Sequence, residues 1–121
     1  MPQYGVLVYS PAPADPRALP PDHVEALDHY PAQAKELGGK VLGGSYFADQ
    51  RGFAFEPGTT ARAISGDTVR NGPFFESDLI PAAFFVLSAP SIDVAVEIAR
   101  QHPATREGGV EVRPLLAPLS K

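Results

Sequence analysis

The sequence predicts an α+β fold in which two helices cover one face of an antiparallel β-sheet. Two amphipathic helical patterns separate runs of strand-forming residues, and one of these runs is apolar at nearly every position. With 121 residues, 44% of them hydrophobic and 20% charged, the chain fits one globular domain with a single core. We therefore expect residues 1–121 to form one folding unit.

The first half of the chain predicts a strand, a helix and a second strand. Tyr4 to Tyr9 is rich in β-branched and aromatic residues, and Pro20-Pro21-Asp22 is typical of a helix start. The helix should stop at Gly38-Gly39, and Pro31 should kink it or divide it in two. Val41 to Phe47 then suits a strand that bends at its glycine pair. The predicted apolar face of the helix consists of Ala26, Leu27, Tyr30, Ala34 and Leu37.

The second half predicts a hairpin, a central strand, a helix and a last strand. Thr59 to Ser65 favours β structure and leads through Gly66-Asp67, a turn signal, to a short second arm. Ile80 to Leu87 is apolar nearly throughout, so we expect a central strand covered on both faces. Ser91 should cap the second helix, which ends at His102-Pro103, where helix capping is the expected role of a cationic His102. The remaining expectations are a brief strand at Phe53 and Phe55, an apolar helix stripe at Ile92, Ala95, Val96 and Ala99, and a last strand from Val110 to Leu115.

Without the middle hairpin the predicted order is β-α-β-β-α-β, which is the ferredoxin-like or split β-α-β arrangement. In the last strand Val110 and Val112 should point to one face of the sheet, and Glu111 and Arg113 to the other. A half-polar face of this kind needs a cover, and a second copy of the chain supplies it most economically. We therefore expect a homodimer with a semi-polar cavity at the sheet.

Charge and composition exclude several classes of function. The net charge of −4 and the scattered Lys and Arg residues supply no basic stripe, so nucleic-acid binding is not expected. The lack of cysteine excludes disulfides, thiolate zinc sites and iron–sulfur clusters, and the three histidines show no metal-ligand spacing. The glycine pairs fit no phosphate-binding motif, so no cofactor is expected. No stretch is long and apolar enough to span a membrane, and the first residues do not resemble a signal peptide, which favours a cytoplasmic location.

The segment Asn71-Gly72-Pro73-Phe74-Phe75-Glu76 predicts a rigid loop directly before the central strand. Gly72 accepts a positive φ, Pro73 fixes its own φ, and Phe74 offers an apolar anchor. A loop of this kind is either a tight hairpin or a wall that faces a ligand. Arg62 and Arg113 lie on strands, where a guanidinium could bind an anionic ligand in bidentate fashion or pair with a glutamate inside the protein. The candidate ligand-binding residues are Arg62, Asn71, Gly72, Pro73, Phe74, Glu76, Glu111 and Arg113.

Several motifs in a fixed order resemble the YCII-related, or DGPF-domain, family. They are Glu56-Pro57-Gly58-Thr59-Thr60-Ala61-Arg62, the loop from Asn71 to Glu76, Phe84-Phe85, Ser91-Ile92-Asp93-Val94-Ala95, and His102-Pro103 followed by Gly108-Gly109-Val110-Glu111-Val112-Arg113-Pro114. The resemblance implies a ferredoxin-like subunit of a dimeric α+β barrel. It also implies a small bacterial protein of unassigned activity, with a sigma-factor-related protein as a possible partner.

One branch of the family is similar to dehydrochlorinases and carries a His and Asp pair, which implies His29 as a general base and Asp49 as its orienting carboxylate. The family histidine aligns with Asp28 or His29, depending on a one-residue gap. This chain has Asn71 where the family has an acidic residue, and an amide cannot act as a base. We therefore expect a non-catalytic or regulatory protein that binds a small anionic or aromatic molecule. The alternative is a lyase or dehydrochlorinase-like enzyme that uses His29.

Overall fold

A computed structural model of the protein describes residues 1–42 and 53–116. The elements are β1 Gln3–Pro11, α1 Pro21–Glu36, β2 Lys40–Val41, β3 Phe53–Ala54, β4 Arg62–Ser65, β5 Thr68–Asn71, β6 Leu79–Ser88, α2 Ile92–Arg100 and β7 Gly109–Pro114. Short 3-10 helices lie at Pro16–Ala18, Gly58–Thr60 and Pro103–Arg106. The predicted bend at Gly43-Gly44 and most of the predicted strand from Val41 to Phe47 lie outside the described residues.

The main sheet has the strand order β2-β6-β1-β7, with β3 also paired to β6, and every pairing is antiparallel. Val41 lies opposite Leu87 and Phe53 lies opposite Phe84, so β2 and β3 follow one another along the same side of β6. They are two pieces of one edge strand. The sheet order is therefore the ferredoxin-like one, and the predicted α+β fold is confirmed.

The core lies between the sheet and both helices. Alternate residues of β1, among them Val6 and Val8, point to this side and belong to the same buried cluster as Leu87 of β6. The helices contribute Ala34 from α1 and Ile98 from α2, both fully buried. Each large apolar side chain buried in this way contributes roughly 1.5–3 kcal/mol. Both helices thus cover one face of the sheet, as predicted.

The first helix is not divided at Pro31, because α1 runs without a break from Pro21 to Glu36. Proline removes one backbone hydrogen bond, but Tyr30 before it and Ala34 after it are both buried against the sheet. Packing on both sides of Pro31 therefore holds the helix together. The predicted apolar face is only partly right, because Leu37 at its end is exposed.

The second helix begins as predicted, with the Ser91 side chain accepting a hydrogen bond from the backbone N–H of Val94. Its buried face, however, consists of Ala95, Ile98 and Ala99, whereas the predicted stripe residues Ile92 and Val96 are exposed. The helix is rotated from the predicted orientation because Ile98 fills the space between the sheet and the end of α1.

The middle hairpin forms a separate two-stranded sheet of β4 and β5. The prediction of a strand from Thr59 was wrong, because Gly58–Thr60 is a 3-10 helix and β4 begins at Arg62. The predicted turn at Gly66-Asp67 is confirmed, and Gly66 has a φ of 59°. On the outer face of this hairpin Ile64 and Val69 lie opposite each other, 64% and 62% exposed.

The strand β6 is central, as predicted, but the residues that the structure describes cover only one of its faces. Phe85 and Leu87 point into the core, whereas Phe84 and Val86 point to the opposite face and are half-buried. That opposite face also carries Leu7, Glu111 and Arg113, and we call it the open face of the sheet. The predicted alternation of Val110 and Val112 with Glu111 and Arg113 is confirmed, since both valines pack against the core.

Candidate functional site

A surface cleft of about 520 Å³ lies between the turn that follows β1 and the base of the β4–β5 hairpin. Its volume falls in the range of small-molecule sites in proteins. The cleft is lined by Ala12, Pro13, Gly58, Thr59, Asn71, Gly72, Pro73 and Ile80. We call it the hairpin cleft. It joins three segments that are far apart in sequence, so only the folded chain creates it.

Backbone hydrogen bonds hold the walls of the hairpin cleft in place. The Gly58 N–H donates to the Pro13 carbonyl at 2.6 Å, and the Gly72 N–H donates to the Ala61 carbonyl at 2.8 Å. The Ala12 N–H donates to the Asp78 carbonyl at 2.9 Å. The turn after β1 is therefore hydrogen-bonded to the segment before β6 and to the start of the 3-10 helix at Gly58–Thr60. The hydrogen bond between Gly72 and Ala61 closes the base of the hairpin.

Gly58 is required by packing at the floor of the hairpin cleft. A Cβ atom at this position would overlap the Cδ1 atom of Ile80, which is buried. It would also lie 3.5 Å from both the Pro13 carbonyl oxygen and the Pro73 Cγ atom. A larger residue at position 58 would therefore push the walls apart.

The chemistry of the hairpin cleft is mainly apolar, with two polar side chains. Thr59 supplies a hydroxyl and Asn71 supplies an amide, and neither side chain hydrogen-bonds to another residue that the structure describes. Of the residues in 1–42 and 53–116, none with a charged side chain lines the cleft. The cleft can hold an apolar molecule and orient it through the amide and the hydroxyl.

The loop predicted to face a ligand contributes Asn71, Gly72 and Pro73 to the hairpin cleft. Gly72 has a φ of 106°, which confirms the positive φ expected from the sequence. Phe74 is not an apolar anchor, because its side chain is 54% exposed and it packs edge-on against Phe75. Glu76 is also exposed and lies outside the lining of the cleft.

Arg62, Glu111 and Arg113, the charged candidates on the strands, do not line the hairpin cleft. Arg62 is the cross-strand neighbour of Asn71, but its Nη1 atom donates at 3.0 Å to the carbonyls of Thr60 and Ala61. Arg113 lies on the open face of the sheet, where its Nε atom is 2.9 Å from the Oε2 atom of Glu111. The structure thus brings Glu111 and Arg113 together as an ion pair, and neither of them lines the hairpin cleft.

Tyr9 completes a small polar group on the open face, because its hydroxyl donates to the Oε1 atom of Glu111 at 3.4 Å. Burial and then the negative charge of Glu111 raise the pKa of Tyr9 above its usual value. The group consists of Tyr9, Glu111 and Arg113. It could contact a polar ligand or a second subunit, but it is separate from the hairpin cleft.

The proposed general base is on the outer surface of α1. The His29 side chain is 70% exposed, and its Nε2 atom lies 3.9 Å from a carboxylate oxygen of Glu25 one helical turn earlier. A distance of this length at the surface is a weak ion pair and not an orienting hydrogen bond. Asp49, the proposed partner, lies outside the described residues. His29 does not line the hairpin cleft.

His102 is the one histidine of this chain that is buried. Its burial was not predicted from the sequence. Its side chain packs between Tyr30 and Phe85, and its Nδ1 atom accepts a hydrogen bond from the N–H of Ala104 at 3.1 Å. Burial, with a smaller contribution from nearby His23, lowers the pKa of His102 to about 4. His102 therefore caps the following 3-10 helix as a neutral ring, and the expected cation at the end of α2 is wrong.

No group of three or more His, Asp or Glu side chains that could hold a metal ion occurs in the part of the chain that the structure describes. Within the same ranges, neither helix has the length and apolar character needed to cross a lipid bilayer.

Comparison with protein families identifies the family to which this fold belongs. The family model of the YCII-related domain matches residues 6–117, nearly the whole chain. The chain belongs to the YCII-related domain family. A search of curated proteins finds no match. The YCII-related match covers both the sheet and the hairpin, so the hairpin cleft is built entirely from residues within the family domain.

Proposed function

We propose that this YCII-related protein is a non-catalytic binding protein that holds a small molecule in the hairpin cleft. The observation that carries the proposal is the composition of the cleft, which is apolar and has two polar side chains, Thr59 and Asn71, without partners among the described residues. Small-molecule sites commonly combine apolar walls with a few polar groups that set orientation.

Binding is favoured over catalysis because no described residue that lines the hairpin cleft is suited to proton transfer near neutral pH. Its lining within the described ranges has no histidine, carboxylate or lysine, and an asparagine side chain does not titrate near neutral pH. His29, the candidate base of the lyase alternative, lies on the exposed side of α1. A dehydrochlorinase-like reaction would need a base within hydrogen-bonding reach of its substrate.

Filling the hairpin cleft should abolish ligand binding while leaving the fold intact. Thr59 is exposed and lines the cleft, so Thr59→Trp places an indole in the space that a ligand would occupy. A fragment library would be screened against the ¹⁵N-labelled protein by NMR, with hits located through the amide signals of Gly58 and Gly72. We expect hits at these signals in the wild type, weakened at least about tenfold by Thr59→Trp.

The matched control is Thr60→Trp, one residue further along the same 3-10 helix and not part of the cleft lining. It should keep the affinity of the wild type. Loss of binding in both variants would point to general damage of the 3-10 helix. A library that moves no amide signal around the cleft in the wild type would overturn the proposed function.

We also propose that the protein is a homodimer, formed by pairing of the open faces of the sheets. This face exposes apolar side chains beside the polar group of Tyr9, Glu111 and Arg113. Phe53 stacks on Phe84 with ring centroids 5.1 Å apart, and both rings are only partly covered. Contiguous apolar area of this kind on a sheet is typical of an interaction surface.

A charge in the middle of the open face should dissociate the dimer. Leu7 lies between Phe84 and Glu111 in the register of the sheet, so Leu7→Lys places an ammonium group there and next to a carboxylate of its own subunit. We expect a wild-type dimer and a folded Leu7→Lys monomer by sedimentation velocity. Val96→Lys is the control, since Val96 is exposed on α2 at the other side of the molecule. A wild-type protein that sediments as a monomer at every concentration would contradict this arrangement.

A further inference from the structure

We infer that the hairpin cleft selects a neutral aromatic ligand with a hydrogen-bonding amide, and discriminates against anions and cations of the same shape. The inference rests on the proposed function, because it assigns a ligand class to the same cleft. Three features of the cleft carry it: the amide of Asn71, which has no side-chain partner among the described residues, the internal use of backbone donors, and the apolar walls.

The Asn71 amide is suited to a ligand that both donates and accepts. Its oxygen is an acceptor and its nitrogen carries two donor hydrogens, and the side chain makes no hydrogen bond to another described residue. A carboxamide on the ligand can pair with it in both directions. A carboxylate could use only the donor side, and an amidinium only the acceptor side.

The backbone of the hairpin cleft offers little to an anion. The N–H groups of Ala12, Gly58 and Gly72 all donate to carbonyl oxygens of the protein itself. Pro13 and Pro73 have no N–H to offer. An anion in this cleft would therefore lose hydration while these three N–H groups are already engaged.

Arg62 is a candidate for a positive charge near the cleft, since it lies opposite Asn71 in the hairpin. Its Nη1 atom is engaged by the carbonyls of Thr60 and Ala61, and Arg62 is not among the residues that line the cleft. These hydrogen bonds hold the Arg62 guanidinium against the backbone directly before β4. The charge of Arg62 should not decide which ligand binds.

The apolar walls suit an apolar ring. Pro13 and Pro73 line the cleft, and the buried side chain of Ile80 forms part of its apolar floor. A six-membered aromatic ring can pack against these surfaces while its substituent reaches Asn71. Apolar area removed from water favours binding in proportion to the area, so the ring supplies the affinity and the amide supplies the selectivity.

The test uses three probes that have nearly the same shape and differ in charge: benzamide, benzoate and benzamidine. Each is titrated into the ¹⁵N-labelled full-length protein at pH 7, and the dissociation constant is read from the amide signals of Gly58, Gly72 and their neighbours. We expect benzamide to bind at least about tenfold more tightly than either charged probe, because an unpaired charge loses hydration in the cleft.

Two variants assign the selectivity to residues. Asn71→Asp removes the amide donor and adds a carboxylate. It should therefore weaken the binding of benzamide, and benzamidine should become the probe that binds most tightly. Arg62→Gln should leave the affinity for benzamide unchanged and should not alter the weak binding of benzoate. A benzoate affinity that equals or exceeds that of benzamide and falls in Arg62→Gln would show that the guanidinium does turn into the cleft.

The outcomes separate the ligand class from the proposed function. Tighter binding of benzoate or benzamidine than of benzamide at the cleft signals would overturn the neutral-ligand inference and leave the binding function in place. The same holds if none of the three probes binds but other fragments of the library do. If no fragment moves the cleft signals, the proposed function fails, and the ligand class fails with it.

Discussion

Replacing Gly108 with alanine should lower the free energy of unfolding by about 3 kcal/mol or more, because the new methyl group has no space. The Cβ atom would overlap the carbonyl oxygen of Tyr9 and lie 3.0 Å from the carbonyl carbon of the same residue. It would also lie 3.2 Å from the Cα atom of Ser10. All three are backbone atoms of β1, a strand inside the sheet, and they cannot move without breaking its pairing with β6 or β7.

The adjacent Gly109 is the matched control for Gly108. A Cβ atom there would meet no atom within 4 Å, and the residue lies in β7 opposite Tyr9. Gly109→Ala should leave the stability unchanged or raise it slightly, since alanine restricts the unfolded chain more than glycine does. Urea denaturation followed by circular dichroism measures both variants. Equal stability of Gly108→Ala and the wild type would show that β1 and β7 do not approach each other as closely as described.

Acid should destabilise the protein through His102, by up to roughly 3 kcal/mol between pH 6.5 and pH 4. The pKa of His102 is about 4 in the folded protein, below the ordinary value of 6.5 expected for the unfolded chain. Between these values the unfolded state binds more protons than the folded state, so the free energy of unfolding falls as the pH is lowered. Stability from this group is complete above pH 6.5 and is lost progressively towards pH 4.

The variant that tests this assignment is His102→Asn. An asparagine oxygen can still accept the hydrogen bond from the Ala104 N–H but does not titrate, so the fall in stability between pH 6.5 and pH 4 should become shallower. Loss of ring contacts with Tyr30 and Phe85 will lower the stability of this variant at every pH. Only the change of the free energy of unfolding with pH therefore tests the assignment. His29→Asn, at an exposed position, should keep the slope of the wild type.

A direct measurement of the His102 titration complements the stability data. The ring signals of His102 should remain those of the neutral imidazole down to about pH 4 in the folded protein. Nearby His23 also has a lowered pKa, because of burial and then Arg106, so its ring signals must be assigned individually. A normal titration of His102 near pH 6.5 in the folded state would contradict the buried, neutral ring.

Most of the fold could be predicted because the relevant signals are local. Alternating and continuous apolar runs marked β1, β6 and β7, Ser91 marked the start of α2, and Gly66-Asp67 marked the hairpin turn. Predictions failed where packing overrode local preference. Pro31 stays inside α1 because the residues on both sides of it are buried, and the face of α2 is set by the position of Ile98.

The candidate site could be predicted only in part. The special geometry of Gly72 and Pro73 drew attention to the loop, and this loop does form one wall of the hairpin cleft. Ala12, Pro13, Gly58, Thr59 and Ile80 give no local signal of a site, since each becomes a wall only when the turn after β1 meets the hairpin. Arg62 and Arg113 were reasonable candidates by charge, but their partners lie within the protein.

The sequence by itself determined the α+β class, the order of the elements, and the division of the sheet into an apolar face and a half-polar face. These features follow from the periods of strands and helices, which any short window of residues reveals. Only the tertiary structure decided that His102 is buried and neutral, that His29 faces solvent, and that a largely apolar cleft opens beside Asn71. Burial and proximity depend on contacts between distant segments, and no local pattern of residues contains them.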